Sequence, residues 1–390
     1  MMGRIYLDWA ATAPLSVRAR EAYDKTAERF PGNPSAVHKE GKEASALLET
    51  CRKRIAHMLG TGPDHIIFTS GGTESNAIVL HSFLRSKGGG KIIIPGFEHP
   101  AIWEYRPIFS EFGFSLAEPS IREESLFSVE EYARLITGNT KLACCMAVHN
   151  ETGEIFPIQK LVEAIRSKEE GHPVHIHTDA VQAGGKREIS IAEDIIASGI
   201  DSASFSGHKI GAPRGIGILY LKKPLTHPFP GGGQEMGMRP GTENLPAIAA
   251  LTESLTMTAE GRLPSKEAQM LLFEGLSSLK GLSVIPRSRK AAPRNFVGST
   301  ISATASPIPS ETLVRVMNDK GYAISAGSAC SNRGSHGGKK IRRALMRAGV
   351  GEADALGAFR ISIGADTTCA QIEQFLQALD QTIQFLGRAF

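Results

Sequence analysis

The 390-residue chain reads as an α/β protein: a large domain with a mostly parallel mixed sheet between helices, plus a smaller α/β C-terminal domain. Three observations carry that reading. Short apolar runs recur at Ile66–Thr69, Lys91–Ile94, Leu142–Val148, Val174–Thr178, Ser202–Ser206 and Ile216–Leu221, with amphipathic stretches such as 74–87, 100–112 and 157–168 among them. Short strands that are apolar throughout and separated by helices build a largely parallel sheet covered on both faces. After Pro264 the pattern changes to one of alternating helices and isolated strands. Finally, the residues able to do chemistry fall at the carboxyl ends of the runs, where open α/β sheets gather ligands.

The elements follow in order. Pro14 and the Pro31-Gly32-Asn33-Pro34 breaker bracket a helix over 16–30, and a second helix is expected over 35–59. After the last apolar run comes a Gly-rich segment, Pro230 to Thr242, and a long helix to about Gly261. Then come a helix over 265–279, a strand near Asn295–Ser302, a helix over 309–320, a strand near Ala323, a loop around Cys330, a strand Phe359–Ile363 and a helix over 368–388. The division expected is 15–261 for the large domain, with 1–14 and 262–390 forming the small one that carries the Cys330 loop.

Composition excludes several classes. Hydrophobic residues at 41% and charged residues at 22% are ordinary for a globular chain and rule out collagen-like, coiled-coil or disordered protein. A net charge of +4 over this length is too weak to argue for a nucleic-acid or membrane partner. No apolar run approaches the roughly 18 residues that span a bilayer. The N-terminus lacks the apolar stretch of a secretory signal, so the expected compartment is the cytoplasm.

Five cysteines, an odd and sparse set in a chain expected in the cytoplasm, argue against a disulfide framework, and the lack of a Cys-x-x-Cys pair argues against a structural zinc site. Cys51 lies on a helical apolar stripe, Cys144 and Cys145 lie in a strand-like run, and Cys369 starts a helix; all four read as core filler. Cys330 differs. It sits in Ser325-Ala326-Gly327-Ser328-Ala329-Cys330-Ser331-Asn332-Arg333-Gly334, a loop carrying Arg333, Lys339 and Lys340, whose charge favours a thiolate. A nucleophile that must travel suits such a loop; an incidental exposed cysteine is the plainer reading.

Six further elements carry candidate chemistry. Lys209 follows an apolar strand inside Ser206-Gly207-His208-Lys209; pointing into a cleft, it could form a Schiff base. Gly71-Gly72-Thr73 ends a strand and opens a helix, the makings of a phosphate site or of an ordinary capped helix. His175, His177 and Asp179 alternate onto one face of a strand. They could bind a metal with His99 and His208, or Asp179 could pair with a protonated pyridine nitrogen. His99 follows a strand and could stack on a flat cofactor and move protons. Asn150 puts an amide at another strand end. Arg360, amid strand residues, suits a carboxylate. Together they form a phosphate cradle, a Schiff-base lysine, a carboxylate for a ring nitrogen, a stacking histidine and a carboxylate-binding arginine. That set meets the needs of pyridoxal 5'-phosphate acting on an amino acid.

With these residues in place, the sequence resembles the cysteine desulfurases of the class V aminotransferase superfamily. The resemblance spans nearly the whole chain. It covers Tyr6 to Thr12, Gly32 to Ser35, Thr69 to Asn76, His149 to Gly153, His177 to Gln182, Ser204 to Lys209, Gly231 to Glu235 with Arg239 to Thr242, and Ser325 to Cys330. It implies a fold-type I pyridoxal-phosphate enzyme working as a homodimer. Lys209 would form the Schiff base, Asp179 would pair with the ring nitrogen, Gln182 would bond the ring hydroxyl, and His99 would stack and shuttle protons. Gly72, Thr73, Ser206 and His208 would hold the phosphate, with Thr242 reaching across from the partner subunit. Asn150 would touch cofactor or substrate, and Arg360, helped by Asn33, would bind the carboxylate of L-cysteine. Cys330 would take the sulfur as a persulfide, leaving L-alanine, and pass it to a sulfur-acceptor protein such as an iron–sulfur scaffold or a tRNA-thiolation protein. No resident metal is implied, although in such families the loop cysteine can transiently share a nascent cluster.

Three features depart from the family pattern. Trp9 and His149 stand where asparagine is usual, and the Cys330 loop has an unusual sequence, Ser-Asn-Arg-Gly-Ser-His-Gly-Gly-Lys-Lys. The alternatives are a selenocysteine lyase or β-eliminating lyase of the same fold, a scaffold or regulator without turnover, and, more distantly, a metal hydrolase.

Overall fold

Strands that are apolar on both faces need cover on both sides, and the computed structural model of the chain provides it. It describes residues 4–85, 89–119, 121, 127–226, 229–326 and 342–388. Seven strands lie side by side in the order Ile66–Thr69, Gly217–Leu221, Ser202–Ser206, His175–Asp179, Thr140–Cys144, Gly90–Ile93 and Phe114–Ala117. Six share one direction. Gly217–Leu221 runs antiparallel to both of its neighbours. Alternate side chains divide between the two faces. Phe68, Ile93, Ala143 and Ile218 join one core with Leu48, Cys51 and Ile55 of helix Lys39–Met58 and with helix Leu245–Ala259. Ile67, Ile92, Leu142 and Leu219 join the other, with Ile78 and Val79 of helix Gly72–Leu84.

A second core belongs to a three-stranded antiparallel sheet of Ser283–Ile285, Thr300–Thr304 and Ala358–Ser362. Ile301, Phe359 and Ile361 meet Leu272 of helix Lys266–Ser278 and Phe375 of helix Cys369–Leu386. The N-terminus joins this unit. Ile5–Tyr6 pairs in parallel with Tyr322–Ala323, and Ile5 and Leu7 are buried in the second core.

Several elements differ from the sequence reading, each for a local reason. The helix expected from 35 begins at Lys39, because Asn33 holds a turn: its Oδ1 accepts from Ser35 N at 2.8 Å and its carbonyl from Ala36 N at 2.9 Å. The stretch 100–112 is two helices, Pro100–Trp103 and Arg106–Glu111, since Pro107 has no N–H to continue the first. Regular pairing of the run from Leu142 stops at Cys144. The chain stays tethered beyond it, with Cys145 N donating to His177 O (3.0 Å) and Ala147 N to Asp179 O (2.9 Å). The strand sought near 295–302 is Thr300–Thr304, preceded by a tight turn Pro293–Asn295. Strands Phe114–Ala117 and Ser283–Ile285 and helix Val129–Ala133 were not foreseen. Cys51, Cys144 and Cys145 are buried as expected, while Cys369 is only half-buried against the second core.

One buried ion pair ties the Gly-rich segment to the sheet. Glu235 receives Arg52 Nη2 (2.7 Å), Arg52 Nη1 (2.9 Å) and Phe68 N (2.7 Å). Glu235 and Met236 hold left-handed backbone angles (φ 48° and 56°), which non-glycine residues keep only where the surroundings impose them. Glu235→Ala takes the buried carboxylate from Arg52, leaving it the half-exposed Glu49 (3.0 Å) and the Ile66 carbonyl (2.6 Å), and is expected to lower unfolding free energy by about 3 kcal/mol, read from urea denaturation midpoints.

Candidate active site

The parallel strands deliver their carboxyl ends to one edge, and a cavity of about 200 Å³ opens there. A water occupies about 30 Å³ in the liquid, so this is room for an organic group rather than a lone ion. Its lining includes Gly72, Thr73, His99, Asn150, Asp179, Gln182, Ser206, His208, Lys209 and Arg360. Of the residues singled out from sequence, Asn33 and Thr242 are exposed and do not line it. Cys330 lies in 327–341, outside the described residues.

Helix Gly72–Leu84 opens onto the cavity. Gly71 provides no side-chain cap, and the first intrahelical bond runs from Ser75 N to Gly71 O (3.0 Å). The N–H groups of Gly72, Thr73 and Glu74 therefore have no intrahelical acceptor, which with the helix dipole suits an anion. A Cβ on Gly72 would come within 2.4 Å of Val181 Cγ2, another cavity wall, so the close approach requires glycine there. Ser206 ends its strand beside this helix start, and Gly207–Lys209 form a single tight turn that carries His208 and Lys209 to the rim.

Lys209 Nζ donates to the carbonyls of Ala10 (2.7 Å) and Ala11 (2.9 Å). Gln182 Nε2 donates to the same Ala10 carbonyl at 3.0 Å. His208 Nδ1 faces Thr12 Oγ1 at 3.2 Å. Burial, with Lys209 and Arg214 nearby, pushes the His208 pKa down to about 4, so its ring is neutral near pH 7. His99 Nδ1 accepts from Ala101 N at 3.1 Å, leaving the proton on Nε2. Burial lowers the His99 pKa, against the pull of Asp179 and with the push of Lys209 and Arg343. The turn carrying His99 is held by Glu98, fully buried, whose Oε1 accepts from Met146 N at 2.6 Å. Burial, and then Asp179, pushes the Glu98 carboxyl well above the usual range.

On the opposite wall Arg360 is buried in strand Ala358–Ser362. Its Nη2 donates to Asp8 Oδ1 (2.9 Å) and its Nη1 to Asn150 O (2.8 Å), while Nε is buried with no partner among the described residues. A guanidinium with a donor left over fits an incoming carboxylate. Its backbone exchanges both hydrogen bonds with Ser325 (2.7 and 3.1 Å). At the other side of 327–341, Arg343 donates to the carbonyls of Gly96 and Glu98 and lies 4.2 Å over Trp103.

Asp8, the Ala10 and Ala11 carbonyls and Asn76 escaped the sequence reading as site residues. Asn76 lines the cavity one turn beyond Gly72 and Thr73, a spacing that could have found it. His175 and His177, weighed as metal ligands, make hydrogen bonds to Ser202 instead, both at 2.8 Å. Among the described residues no group of three or more His, Cys, Asp or Glu is placed to hold a metal.

The two unusual residues near the site have structural explanations. Trp9 packs on Gly364 so tightly that a Cβ there would come within 2.0 Å of its ring. His149 Nδ1 accepts from Thr152 N (3.0 Å) and Glu151 N (3.4 Å), closing a turn as an asparagine oxygen does.

The chain is similar to known proteins over nearly its whole length. The aminotransferase class-V profile matches residues 5–375. A NifS/IcsS protein homolog of Lactobacillus delbrueckii subsp. bulgaricus is 34% identical, over 98% of each chain. A putative cysteine desulfurase NifS of Bacillus subtilis is 32% identical, over 95% of this chain and 93% of its own. The solved structure of a NifS-like protein superposes with a TM-score of 0.85 at 29% identity, covering 98% of this chain and all of that one.

Burial, then the Arg343 and Arg360 cations, pushes the His149 pKa down to about 3 from an ordinary 6.5. Between those values the unfolded chain binds the extra proton and the folded chain does not. Stability from this residue is therefore full above about pH 6.5 and falls as pH drops through the window. His149→Asn keeps the turn acceptor and removes the titration. The variant is expected to lose less stability than the parent between pH 6.5 and 4.5, measured as the shift in urea midpoint.

Proposed function

Because the chain belongs to the aminotransferase class-V family, among its cysteine desulfurases, we propose that it takes sulfur from L-cysteine with pyridoxal 5'-phosphate held in this cavity. The observation that carries the reading is the convergence of Lys209, Asp179, the uncapped helix start at Gly72 and the underused Arg360 on one cavity. The family is one of pyridoxal-phosphate enzymes, and the residues present fit that group. Gly72, Thr73, Ser206 and His208 would hold its phosphate, Asp179 would pair with its ring nitrogen, Gln182 would bond its hydroxyl, and Lys209 would form the Schiff base. When bound, the cofactor supplies an electron sink for the amino acid's Cα.

The chain's own groups do the rest. Arg360 orients the substrate carboxylate, and Asn150 lines the same wall. His99, neutral with its proton on Nε2, moves a proton at the substrate. Lys209, held on two carbonyls, is a second acid–base group. The net transfer balances: L-cysteine and the Cys330 thiol give L-alanine and a Cys330 persulfide, with the cysteine C–S bond broken and an S–S bond formed. Cys330 stands five positions beyond Ser325, which is bonded to the cavity residue Arg360, so its tether reaches at most about 17 Å from Ser325. Thr242, exposed here, completes the phosphate site of a partner subunit in a homodimer, and the persulfide passes to a sulfur-acceptor protein.

The test incubates the protein with L-cysteine and a thiol reductant and measures alanine and sulfide together. Equal yields are expected, with both falling to background in Cys330→Ala. Sulfide with pyruvate and no alanine, surviving in that variant, would overturn the reading in favour of a β-eliminating lyase. Arg360→Lys removes a fork of charge-assisted hydrogen bonds and is expected to raise KM for L-cysteine about 10- to 100-fold.

A further inference from the structure

Behind Asp179 a line of buried polar groups runs along one face of the sheet, against helix Gly72–Leu84. Asn76 Nδ2 donates to Asp179 Oδ2 at 2.8 Å. Asn76 Oδ1 lies 2.9 Å from His177 Nε2, His177 Nδ1 lies 2.8 Å from Ser202 Oγ, and the same hydroxyl lies 2.8 Å from His175 Nε2. The other oxygen of Asp179 accepts from Val181 N at 3.0 Å. Asn76, His177 and Ser202 are almost wholly buried, so no water competes for these bonds.

The line can have only one polarity. Asn76 must turn its amide nitrogen to the carboxylate, since its oxygen there would face another acceptor. Its Oδ1 then has to accept, which puts the His177 proton on Nε2. His177 Nδ1 is left as an acceptor, so the Ser202 hydroxyl donates to it, and the Ser202 oxygen in turn takes the His175 Nε2–H. Each ring needs one proton only, and burial keeps both neutral, with pKa values pushed down to about 3 for His177 and about 4 for His175. Every donor in the line points toward Asp179. An amide cannot pass a proton along, so the line holds the carboxylate without supplying it with one.

We propose that Asn76, backed by His177 and Ser202, is a positioning residue that fixes Asp179 as an acceptor-only carboxylate aimed at a protonated ring nitrogen. The inference rests on the pyridoxal-phosphate reading above and deepens it. It also gives His177 and Ser202, which do not touch the cavity, a defined part in the site.

The experiment compares the parent with Asn76→Ala, Asn76→Asp and Ser202→Ala. Apo-protein is titrated with pyridoxal phosphate labelled with ¹⁵N in the ring, giving an affinity and the ring-nitrogen chemical shift; thermal melts of the apo forms check folding. Asn76→Ala is expected to weaken cofactor binding about tenfold, as loss of a hydrogen bond to a charged group does, and to move the ring nitrogen toward its unprotonated shift. Asn76→Asp keeps the shape but sets a second carboxyl against Asp179, and is expected to weaken binding at least as much. Ser202→Ala, the mildest change, is expected to move the shift in the same direction by less. If the parent binds the cofactor and the folded variants match it in affinity and shift, the inference is overturned while the functional reading stands. If the parent itself takes up no cofactor, the functional reading falls, and this inference with it. Should Asn76→Ala fail to fold, an unchanged ring-nitrogen shift in Ser202→Ala overturns the inference alone.

Discussion

The site depends on the parallel, in-register pairing of strands His175–Asp179 and Ser202–Ser206. His177 lies opposite Ser202 and Asp179 opposite Ser204. Side chains alternate between faces, so a slip of one residue would turn Asp179, His177 and His175 to the other face of the sheet together. The register also sets where each strand stops. Ser206 lies two residues beyond Ser204, the register partner of Asp179, so its hydroxyl stands further along the sheet's carboxyl edge than the carboxylate. The tether of Ala147 N to Asp179 O then keeps the next stretch close enough for Val148 and Asn150 to form the adjoining wall. The relative positions of the Ser206 hydroxyl and the Asp179 carboxylate in the cavity are thus consequences of a backbone ladder.

Burial does the second part of the work. His149, His175, His177 and His208 all have pKa values pushed well below the ordinary histidine value, with desolvation the largest cause each time. Neutral imidazoles are directional: one nitrogen donates and the other accepts. Each ring here uses that asymmetry, His149 to close a turn and His177 to orient Asn76. The cations Lys209 and Arg360 stand among these neutral rings with carbonyl and carboxylate partners of their own. A cavity with two cations, a buried carboxylate and an uncapped helix start suits a ligand carrying several negative charges and a ring that needs a carboxylate partner.

What the sequence made legible was mostly local. Strand ends, the glycine-lined helix start and the loop after Ser206 each leave a short signature, and the residues they position line one cavity. Long-range facts were not legible. Nothing in the run Ile216–Leu221 says that it enters the sheet antiparallel, because direction is decided by neighbours far along the chain. His175, His177 and Asp179 looked like a metal triad since alternation puts them on one face. The face is right, but Asn76 and Ser202, distant in sequence, claim the imidazoles. Likewise Trp9 and His149 looked like altered site residues until their partners Gly364 and Thr152 were known. Asn33 shows the limit of a motif: its side chain holds an exposed turn away from the cavity, and a turn signature cannot say what the residue stands beside.

One short segment joins the two sheets chemically. Residues 8–12 leave the strand paired with Tyr322–Ala323 and cross the cavity edge, with Trp9 N bonded to Ser362 O (3.3 Å) and Ala10 N to Ser362 Oγ (2.9 Å). From that crossing, Asp8 holds Arg360 of the small sheet, while the Ala10 and Ala11 carbonyls hold Lys209 of the large one. The same five residues therefore set the resting positions of both cations. A carbonyl is a weaker partner for an ammonium than a carboxylate is for a guanidinium. On the function proposed above, an entering amino acid would meet Lys209 resting on those carbonyls and Arg360 held by Asp8 with its Nε still to use. The five residues thus give the two cations resting partners of different kinds, carbonyls at the ammonium and a carboxylate at the guanidinium, on the two sides of one cavity.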